Sequence, residues 1–367
     1  MRLFVDAHTF DKEFQGTRTF LKGIYTEVMQ QRPDIELFFA SRDIKTLQDE
    51  FGQKQGVTYL QYQFKNSFSR MFVEIPRMLK KHKIDVAHFQ YIAPWRRHCK
   101  YIVTTHDILF NDFPKEFSFL FRVSRNFIFR RSIMRADIKT TVSNYSVERI
   151  AHHYGLDKNC MHVIPNGVSE KFFEPFNKSG AQQHILSHYG IGKFILYVSR
   201  IEPRKNNAGL LKAFLSGNLA KQGIWLVFIG KTSIESKGLE ALVLKMTEEE
   251  KEHFRHIEQV DDNELLKFYQ AASLFVYPSK AEGFGIPPLE AGALNVPVMC
   301  SNKTAMQEYS FFGSGLFSPD NETELAEKIP EFLAGRLKNG DSGVSEIIRV
   351  KYNWANSARK LISLLDI

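Results

Sequence analysis

Short apolar runs alternate with amphipathic stretches along the chain, and this alternation predicts its architecture. Each run ends in a polar residue, a glycine or a proline, as buried strands of parallel sheets do. Helical patterns lie between several of the runs, which indicates doubly wound sheets of the α/β class. The predicted strands are 3–6, 36–40, 57–62, 86–90, 101–105, 136–143, 163–168, 194–198, 225–230, 274–277 and 296–300.

The length predicts two domains. A chain of 367 residues is too long for one core of ordinary size. The stretch 171–190 has little periodicity, so we place the linker there and expect domains at 1–175 and 190–350. With 43% apolar and 25% charged residues, the composition is that of an ordinary globular protein.

The net charge of +8 is concentrated in the N-terminal half. Residues 1–180 hold 28 Lys and Arg against 19 Asp and Glu, whereas the remaining residues are nearly neutral. Two amphipathic stretches, 68–83 and 115–135, combine an apolar stripe with a basic remainder. We expect the stripes to pack on the sheet. The excess cations predict contact with an anionic membrane surface. Nucleic acid is the rival partner, but the sequence has no nucleic-acid motif.

Cysteine usage predicts a cytoplasmic protein, and the basic N-terminal half predicts that it is peripheral on the inner membrane. The three cysteines are widely spaced, which indicates neither a disulfide framework nor a zinc site. We find no apolar run near the roughly 18 residues of a membrane span. The start of the chain reads as a strand cut short by Asp6 rather than as a signal peptide.

The stretch 274–301 is the strongest candidate for chemistry. A buried strand leads into a loop that contains Gly283 and Gly285, and Pro287 then suits a helix start. A helix N-terminus at the carboxyl edge of a parallel sheet favours phosphate. Glu282 in the loop and Glu290, predicted in the first helical turn, instead accept hydrogen bonds from hydroxyls. A ligand with phosphates and sugar hydroxyls fits both features, although a solvated Glu282 and a Glu290 that complements the helix dipole remain an alternative.

Three further residues lie at predicted strand ends. Arg200 and Lys205 follow the strand 194–198 and could converge on one anion; the alternative is a solvated pair of cations. His106 follows the strand 101–105, at the edge where open α/β sheets bind ligands. The alternative for His106 is a hydrogen-bonded core histidine.

These segments together resemble a known family. The stretch from Glu282 to Ala291 resembles the Glu-(seven residues)-Glu signature of family 4 retaining glycosyltransferases. Thr-His-Asp at 105–107, Pro-Asn-Gly at 165–167 and the pair Arg200 and Lys205 agree with it. The resemblance is greatest to bacterial mannosyltransferase-like members. It implies the GT-B fold, in which two Rossmann-like domains face each other across a cleft. It also implies that the final helix, at about 354–367, packs on the first domain.

The resemblance assigns roles to individual residues. It implies that Arg200 and Lys205 bind the donor diphosphate, that Glu290 binds the ribose, and that Glu282 and His106 contact the sugar as the catalytic residues. The family has a Gly-Gly pair where this chain has Gly16-Thr17, so that match is partial. The remaining donor contacts implied are Gly16, Val260, Gly283, Phe284, Gly285 and Ile286.

The implied reaction is transfer of a hexose from a GDP- or UDP-sugar, with GDP-mannose favoured, to a glycan or lipid-linked acceptor of a surface polysaccharide. The chain has no Asp-x-Asp triplet, so we expect neither a metal nor a cofactor. Another GT-B enzyme, such as a sugar-nucleotide epimerase or a phosphorylase, is one alternative. A non-catalytic nucleotide-sugar-binding subunit is the other.

Overall fold

The computed structural model describes residues 1–11, 16–114, 117–340 and 343–366, which form two compact units. The N-terminal unit comprises Met1–Gly167 and Tyr352–Ile367, and the C-terminal unit comprises Val168–Lys351. The division therefore falls at Gly167, before the predicted linker. Most of that stretch is a helix of the C-terminal unit, in which only Ala181 and Ile185 are buried. Its apolar face is too narrow to give a clear period in the sequence.

Two parallel sheets form the cores of the units. The strands are β1 Arg2–Asp6, β2 Glu36–Ser41, β3 Val57–Gln61, β4 Val86–Gln90, β5 Lys100–Thr104, β6 Ile138–Thr141, β7 Met161–Val163, β8 Phe194–Val198, β9 Trp225–Ile229, β10 Phe254–Ile257, β11 Leu274–Tyr277, β12 Val298–Ser301 and β13 Leu316–Phe317. β7 ends where the strand predicted at 163–168 was to begin. β10 and β13 were not predicted.

Helices connect the strands. They are α1 Gly16–Gln31, α2 Ile44–Phe51, α3 Ser67–Ser69, α4 Ile75–Lys81, α5 Leu109–Asp112, α6 Phe119–Met134, α7 Asn144–Tyr154, α8 Lys178–Tyr189, α9 Asn207–Ser216, α10 Lys237–Lys245, α11 Glu248–Glu252, α12 Asp262–Ala271, α13 Ile286–Ala293, α14 Glu322–Leu333, α15 Val344–Lys351 and α16 Trp354–Leu365. A π-helical turn at Arg70–Glu74 joins α3 to α4.

The strand orders create one topological switch point in each sheet. The N-terminal sheet has the order β3-β2-β1-β4-β5-β6-β7, and the C-terminal sheet has the order β10-β9-β8-β11-β12-β13. In the N-terminal sheet, β2 lies on one side of β1 and β4 lies on the other. In the C-terminal sheet, β9 and β11 flank β8 in the same way. Ligands of open parallel sheets bind outside the carboxyl ends of the strands at such points.

The last helix closes the N-terminal unit. α16 packs along α1, and the indole of Trp354 lies directly against the backbone of Gly23 and Gly167. A Cβ built on Gly23 would lie 2.3 Å from Trp354 Cδ2, so only glycine allows this close approach.

The apolar stripes of the two basic stretches pack on the core only in part. Met71, Ile75 and Leu79 are buried in the first stretch, but Phe68 and Phe72 are exposed. In α6 only Phe129, Ser132 and Ile133 are buried. The sequence pattern showed an apolar face but not which side of the helix the sheet would cover. Among the described residues, no helix is both long and apolar enough to cross a membrane.

Candidate functional site

The switch point of the C-terminal sheet brings a buried cation and a buried carboxylate together. Lys205 follows β8 and Glu282 follows β11, and the Lys205 Nζ lies 2.6 Å from the Glu282 Oε1. The Tyr277 hydroxyl, at the end of β11, lies 3.1 Å from the Lys205 Nζ and donates to the Glu282 Oε1 at 3.0 Å. Only 8% of Lys205 and 8% of Glu282 is exposed. We call these three residues the Lys205 cluster.

The backbone after β8 explains how Lys205 reaches this position. A single 3-10 turn at Pro203–Lys205 ends at Asn206, whose φ of 58° lies in the left-handed region that asparagine tolerates. The Asn206 Nδ2 donates to the Pro319 carbonyl at 3.0 Å, which fixes the turn before α9 begins. The turn therefore directs Lys205 into the interior.

Opposite charges keep Glu282 ionised despite its burial. Burial alone would raise the pKa of Glu282, but the charges of Lys205 and Arg204 and the hydrogen bond from Lys205 hold it below its usual value. Burial lowers the pKa of Lys205, and Glu282 opposes that shift. A buried ion pair of this kind is stable only while both partners are present.

Arg204, not Arg200, is the second cation near Glu282. The Arg204 guanidinium pairs with Glu202 and donates to the Ala281 carbonyl, and its Nη1 lies 3.8 Å from the Glu282 Oε2. Arg200 is exposed, and within the described ranges its side chain takes part in no ion pair of the Lys205 cluster. The predicted convergence of Arg200 and Lys205 is therefore not seen in this conformation.

The glycine-rich loop after Glu282 leads directly into α13. Gly285 caps that helix with a φ of 96°, where a side chain would be strained. The Tyr309 hydroxyl donates to the carbonyls of Phe284 and Gly285 at 2.8 and 3.2 Å. α13 begins at Ile286, one residue before the predicted start. Gly283, Phe284 and Gly285 are all buried.

Glu290 was predicted in the first turn of the helix, but it is the fifth residue of α13 and so lies just beyond that turn. Its side chain is partly buried. The Tyr269 hydroxyl donates to its Oε2 at 2.8 Å. Burial raises the pKa of Glu290 to about 7, although the Tyr269 hydrogen bond and the charge of Lys171 oppose the shift. A carboxyl group with this pKa is half protonated near neutral pH. Val260, also partly buried, immediately precedes the cap residue Asp261 of α12.

In the N-terminal unit, His106 is part of a buried polar chain. The His106 Nε2 lies 2.7 Å from the Gln90 Oε1, and the Gln90 Nε2 lies 3.1 Å from the His88 Nε2. This series of hydrogen bonds continues from the His88 Nδ1 to the Tyr25 hydroxyl at 2.7 Å. Burial lowers the pKa of His106 to about 3, so its imidazole is neutral. Because Gln90 Oε1 can only accept, the His106 Nε2 carries the proton.

Gly16 is the first residue of α1 and is exposed. The sequence predicts a loop over 14–19 after the first strand, whereas the structure is helical from Gly16 onward. The first two residues of that predicted loop, Phe14 and Gln15, lie outside the described ranges.

Sequence reasoning missed the polar partners of the predicted site residues. These are Tyr277 and Arg204 in the Lys205 cluster, Tyr269 beside Glu290 and Gln90 beside His106. Tyr277 and Gln90 are each the last residue of their strand, at the carboxyl edge where ligands bind. That position was the available signal. Tyr269 lies inside a helix and carried no such signal.

Family models match both halves of the chain. The model described as Glycosyltransferase Family 4 matches residues 16–172, and the model described as Glycosyl transferases group 1 matches residues 181–346.

Two solved structures show the same fold over the full length of the chain. Sucrose-phosphate synthase from Thermosynechococcus elongatus superposes with a TM-score of 0.77 at 17% identity and covers 100% of this chain and 98% of that one. Anabaena Alr3699/HepE in complex with UDP-glucose superposes with a TM-score of 0.76 at 16% identity and covers 100% and 99%. The fold is GT-B, as predicted.

Several sequence relatives are named as mannosyltransferases. O-antigen chain mannosyltransferase RfbU of Salmonella typhimurium is 30% identical over 226 residues, which are 60% of this chain and 57% of that protein. O-antigen chain mannosyltransferase B of Escherichia coli is 39% identical over 132 residues, 36% of this chain and 34% of that protein. The matches thus span between about a third and somewhat more than half of these relatives. With a model matched in each half and the predicted signature in place, the chain belongs to glycosyltransferase family 4.

Proposed function

We propose that this chain is a retaining glycosyltransferase that moves a hexose from a nucleotide sugar to a glycan or lipid-linked acceptor of a surface polysaccharide. The Lys205 cluster carries the proposal, because it places a cation suited to phosphate beside a carboxylate suited to sugar hydroxyls. GDP-mannose is the favoured donor, since RfbU and mannosyltransferase B are named as O-antigen mannosyltransferases. UDP-sugars are also tested, because the structurally similar HepE was solved in complex with UDP-glucose.

The donor is divided among the residues of the C-terminal unit. Lys205 and Arg200 bind the diphosphate, and Glu282 accepts hydrogen bonds from the sugar hydroxyls. Glu290 accepts hydrogen bonds from the ribose hydroxyls, and Val260 borders the base. The loop Gly283, Phe284, Gly285 and Ile286 contacts the sugar and phosphate through its backbone N–H groups. Donor binding then exchanges the contact between Lys205 and Glu282 for contacts of each with the ligand.

In the transfer step, an acceptor hydroxyl oxygen forms a bond to the anomeric carbon while the bond from that carbon to the phosphate oxygen breaks. The proton of the hydroxyl passes to the leaving phosphate, on the same face of the sugar. Lys205 stabilises the charge that grows on the phosphate, an effect worth about 10²–10³ in rate per group. His106 contacts the sugar as a neutral group, and Gly16 lies toward the donor. The chemistry needs no metal and no protein nucleophile.

We also propose that the protein works at the cytoplasmic face of the inner membrane. The basic N-terminal half and the expected lipid-linked acceptor support this location.

A two-part experiment tests the function. Thermal unfolding is followed with GDP-mannose, GDP, UDP-glucose and UDP, because a ligand that binds the folded state raises the Tm. The donor that raises it most is then incubated with a lipid-linked acceptor extract, and the product linkage is determined. We expect a Tm increase with GDP-mannose and an α-linked product. No Tm change with any nucleotide sugar would contradict the proposal.

A further inference from the structure

A row of exposed aromatic rings crosses the surface of the N-terminal unit. Phe68 stacks on Phe72 with ring centroids 4.2 Å apart, Phe72 lies 6.0 Å from Trp95, and Trp95 lies 6.3 Å from Phe127. Their exposed fractions are 66%, 42%, 45% and 63% in that order. The rings come from three separate segments of the chain, so the fold assembles the row. We call it the aromatic row.

The outer face of α6 extends this surface with aliphatic side chains. Leu120, Val123 and Phe127 follow one another at helical spacing and therefore share one face. They are exposed to 79%, 51% and 63%. Contiguous exposed apolar surface is uncommon on monomeric proteins and marks a place of interaction.

Helix α6 supplies several arginines along this surface, and no acid accompanies them within the helix itself. α6 contains Arg122, Arg125, Arg130 and Arg131 and no Asp or Glu. The Arg131 guanidinium carbon lies 3.5 Å from the centre of the Trp95 ring, and its Nη2 donates to the Trp95 carbonyl at 2.6 Å. The row therefore combines apolar rings with a strongly positive border.

A basic pocket of about 590 Å³ opens beside Trp95. It is lined by Trp95, Arg96, Arg97, His98, Met134, Arg135 and Ala136. Arg97 pairs with Asp137 at 2.9 Å, whereas Arg96 is exposed. The Arg135 Nη1 lies 3.4 Å from the Trp95 carbonyl. The pKa of His98 is lowered, first by burial and then by the positive charges of Lys80 and Arg96, which indicates the positive potential of this region.

We infer that this surface binds a bilayer that contains anionic lipids, with the aromatic row inserted among the headgroups and the pocket holding the phosphate of one lipid. The inference deepens the proposed membrane location by naming the residues and the lipid group. The inference rests on the proposed function in one respect: the lipid-linked acceptor of that function gives the protein a reason to bind a membrane. Arginine suits the phosphate because its planar fork makes paired hydrogen bonds.

The composition of the surface favours a bilayer over other anionic partners. Phenylalanine, leucine and valine side chains at the tips of the surface gain free energy in hydrocarbon, and tryptophan is enriched at the interface between water and lipid. Aliphatic tips such as Leu120 and Val123 have no stacking face for a nucleic-acid base.

Vesicle flotation of the full chain tests the inference. We use phosphatidylcholine alone and phosphatidylcholine with phosphatidylglycerol, each at low and high salt. We expect binding to the anionic vesicles that weakens at high salt but persists, because the inserted rings do not depend on charge. A blue shift of the Trp95 emission accompanies binding, and Trp95→Phe removes the shift.

Exposed residues provide variants that leave the core intact. Phe127→Ser removes a ring of the row, and Leu244→Ser, at a position exposed to 83% in the C-terminal unit, is its matched control. Arg96→Ala removes a pocket cation, and Lys221→Ala removes an exposed cation of the C-terminal unit. We expect Phe127→Ser to remove the salt-resistant binding. We expect Arg96→Ala to weaken binding to anionic vesicles about fivefold. Neither control changes binding.

Three results would overturn the inference: equal binding to both vesicle compositions, equal effects of the test and control variants, or a concentration-dependent dimer that Phe127→Ser dissolves. The Tm increase with nucleotide sugars is measured on the same variants without vesicles. If nucleotide sugars still raise the Tm but the protein does not bind vesicles, the lipid-binding surface is contradicted and the glycosyl transfer is not. A chain that binds vesicles but no nucleotide sugar contradicts only the proposed function.

Discussion

The Lys205 Nζ and the Glu282 Oε1 lie 2.6 Å apart although the residues are separated by 77 positions in the chain. Both side chains are about nine-tenths buried, and the pair sits at the carboxyl edge of the C-terminal sheet. A buried ion pair contributes little net stability over an apolar pair of similar size. Its position at the switch point is better explained by a ligand whose phosphate binds Lys205 and whose hydroxyls bind Glu282.

Lys205→Ala tests this relationship by removing one partner. Because Glu282 would remain buried and unpaired, we expect the free energy of unfolding to fall by about 3–5 kcal/mol. We expect kcat to fall by about 10²–10³, since the charge on the leaving phosphate loses its stabilising group. Denaturant unfolding and initial transfer rates measure the two effects.

Two further variants separate stability from activity. Lys205→Met/Glu282→Gln removes both charges, so we expect it to recover most of the lost stability and none of the activity. Lys280→Ala removes an exposed cation of the adjoining loop, paired only at 3.8 Å with Asp320, and should change stability by less than about 0.5 kcal/mol. Full transferase activity in Lys205→Ala would refute the assignment to the diphosphate.

Periodicity predicted most of the strands but missed two at the edges of the C-terminal sheet. β10 reads Phe-Arg-His-Ile and has no fully buried residue, so it lacks the continuous apolar run of a central strand. β13 is only two residues long. Edge strands are covered on fewer sides than central ones, and their sequences are correspondingly less constrained.

The structure brings Lys205 and Glu282 together because both follow the ends of parallel strands. Lys205 and Glu282 were assigned from loops that follow β8 and β11, and parallel strands necessarily bring those loops to one edge. The position of Arg204 beside Glu282 depends on a single 3-10 turn, which periodicity does not resolve. The exposure of Phe68 and Phe127 depends on which helix face the sheet covers, which also lies beyond the pattern.

Tyr277→Phe tests whether the hydroxyl of the Lys205 cluster matters. This hydroxyl bonds to both charged partners, and hydrogen bonds to charged groups are worth about 1.5–3 kcal/mol. We therefore expect a loss of stability of this size and a lower kcat, because Glu282 is no longer held in place. Tyr189→Phe is the control, since its hydroxyl donates to Glu264 at 3.2 Å outside the cluster. An equal loss of kcat in both variants would show that the cluster has no special role.

Donor affinity should depend on pH through Glu290. The pKa of this carboxyl is about 7, raised by burial. If only the ionised form accepts hydrogen bonds from the ribose, GDP binds about tenfold more tightly at pH 8 than at pH 6. Calorimetric titration at the two pH values measures the difference, and Glu290→Gln should abolish it. A pH dependence that survives in Glu290→Gln would assign it to another group.

The same shift has the opposite consequence for stability without ligand. A carboxyl whose pKa is higher in the folded than in the unfolded chain favours folding while it is protonated. This contribution is complete below the unfolded pKa near 4.5 and is lost as the pH rises to about 7. Glu290→Gln should therefore flatten the decline in the free energy of unfolding over this range. An unchanged decline would place the titrating group elsewhere.

Gly23→Ala should destabilise the N-terminal unit. The added Cβ would lie 2.3 Å from the Trp354 ring, so α1 and α16 must move apart, and overpacking of this kind costs about 1–3 kcal/mol. Gly238→Ala is the control, because the added Cβ would meet only Ala208, at an ordinary contact distance of 3.6 Å. Gly238 lies in α10, where alanine is a better helix former than glycine. Thermal unfolding should show a lower Tm for the first variant and an equal or higher Tm for the second. Because Gly23 and Trp354 are in contact, Gly23→Ala/Trp354→Leu should cost less than the sum of its single variants. Additive costs would show that the two helices do not pack through this pair.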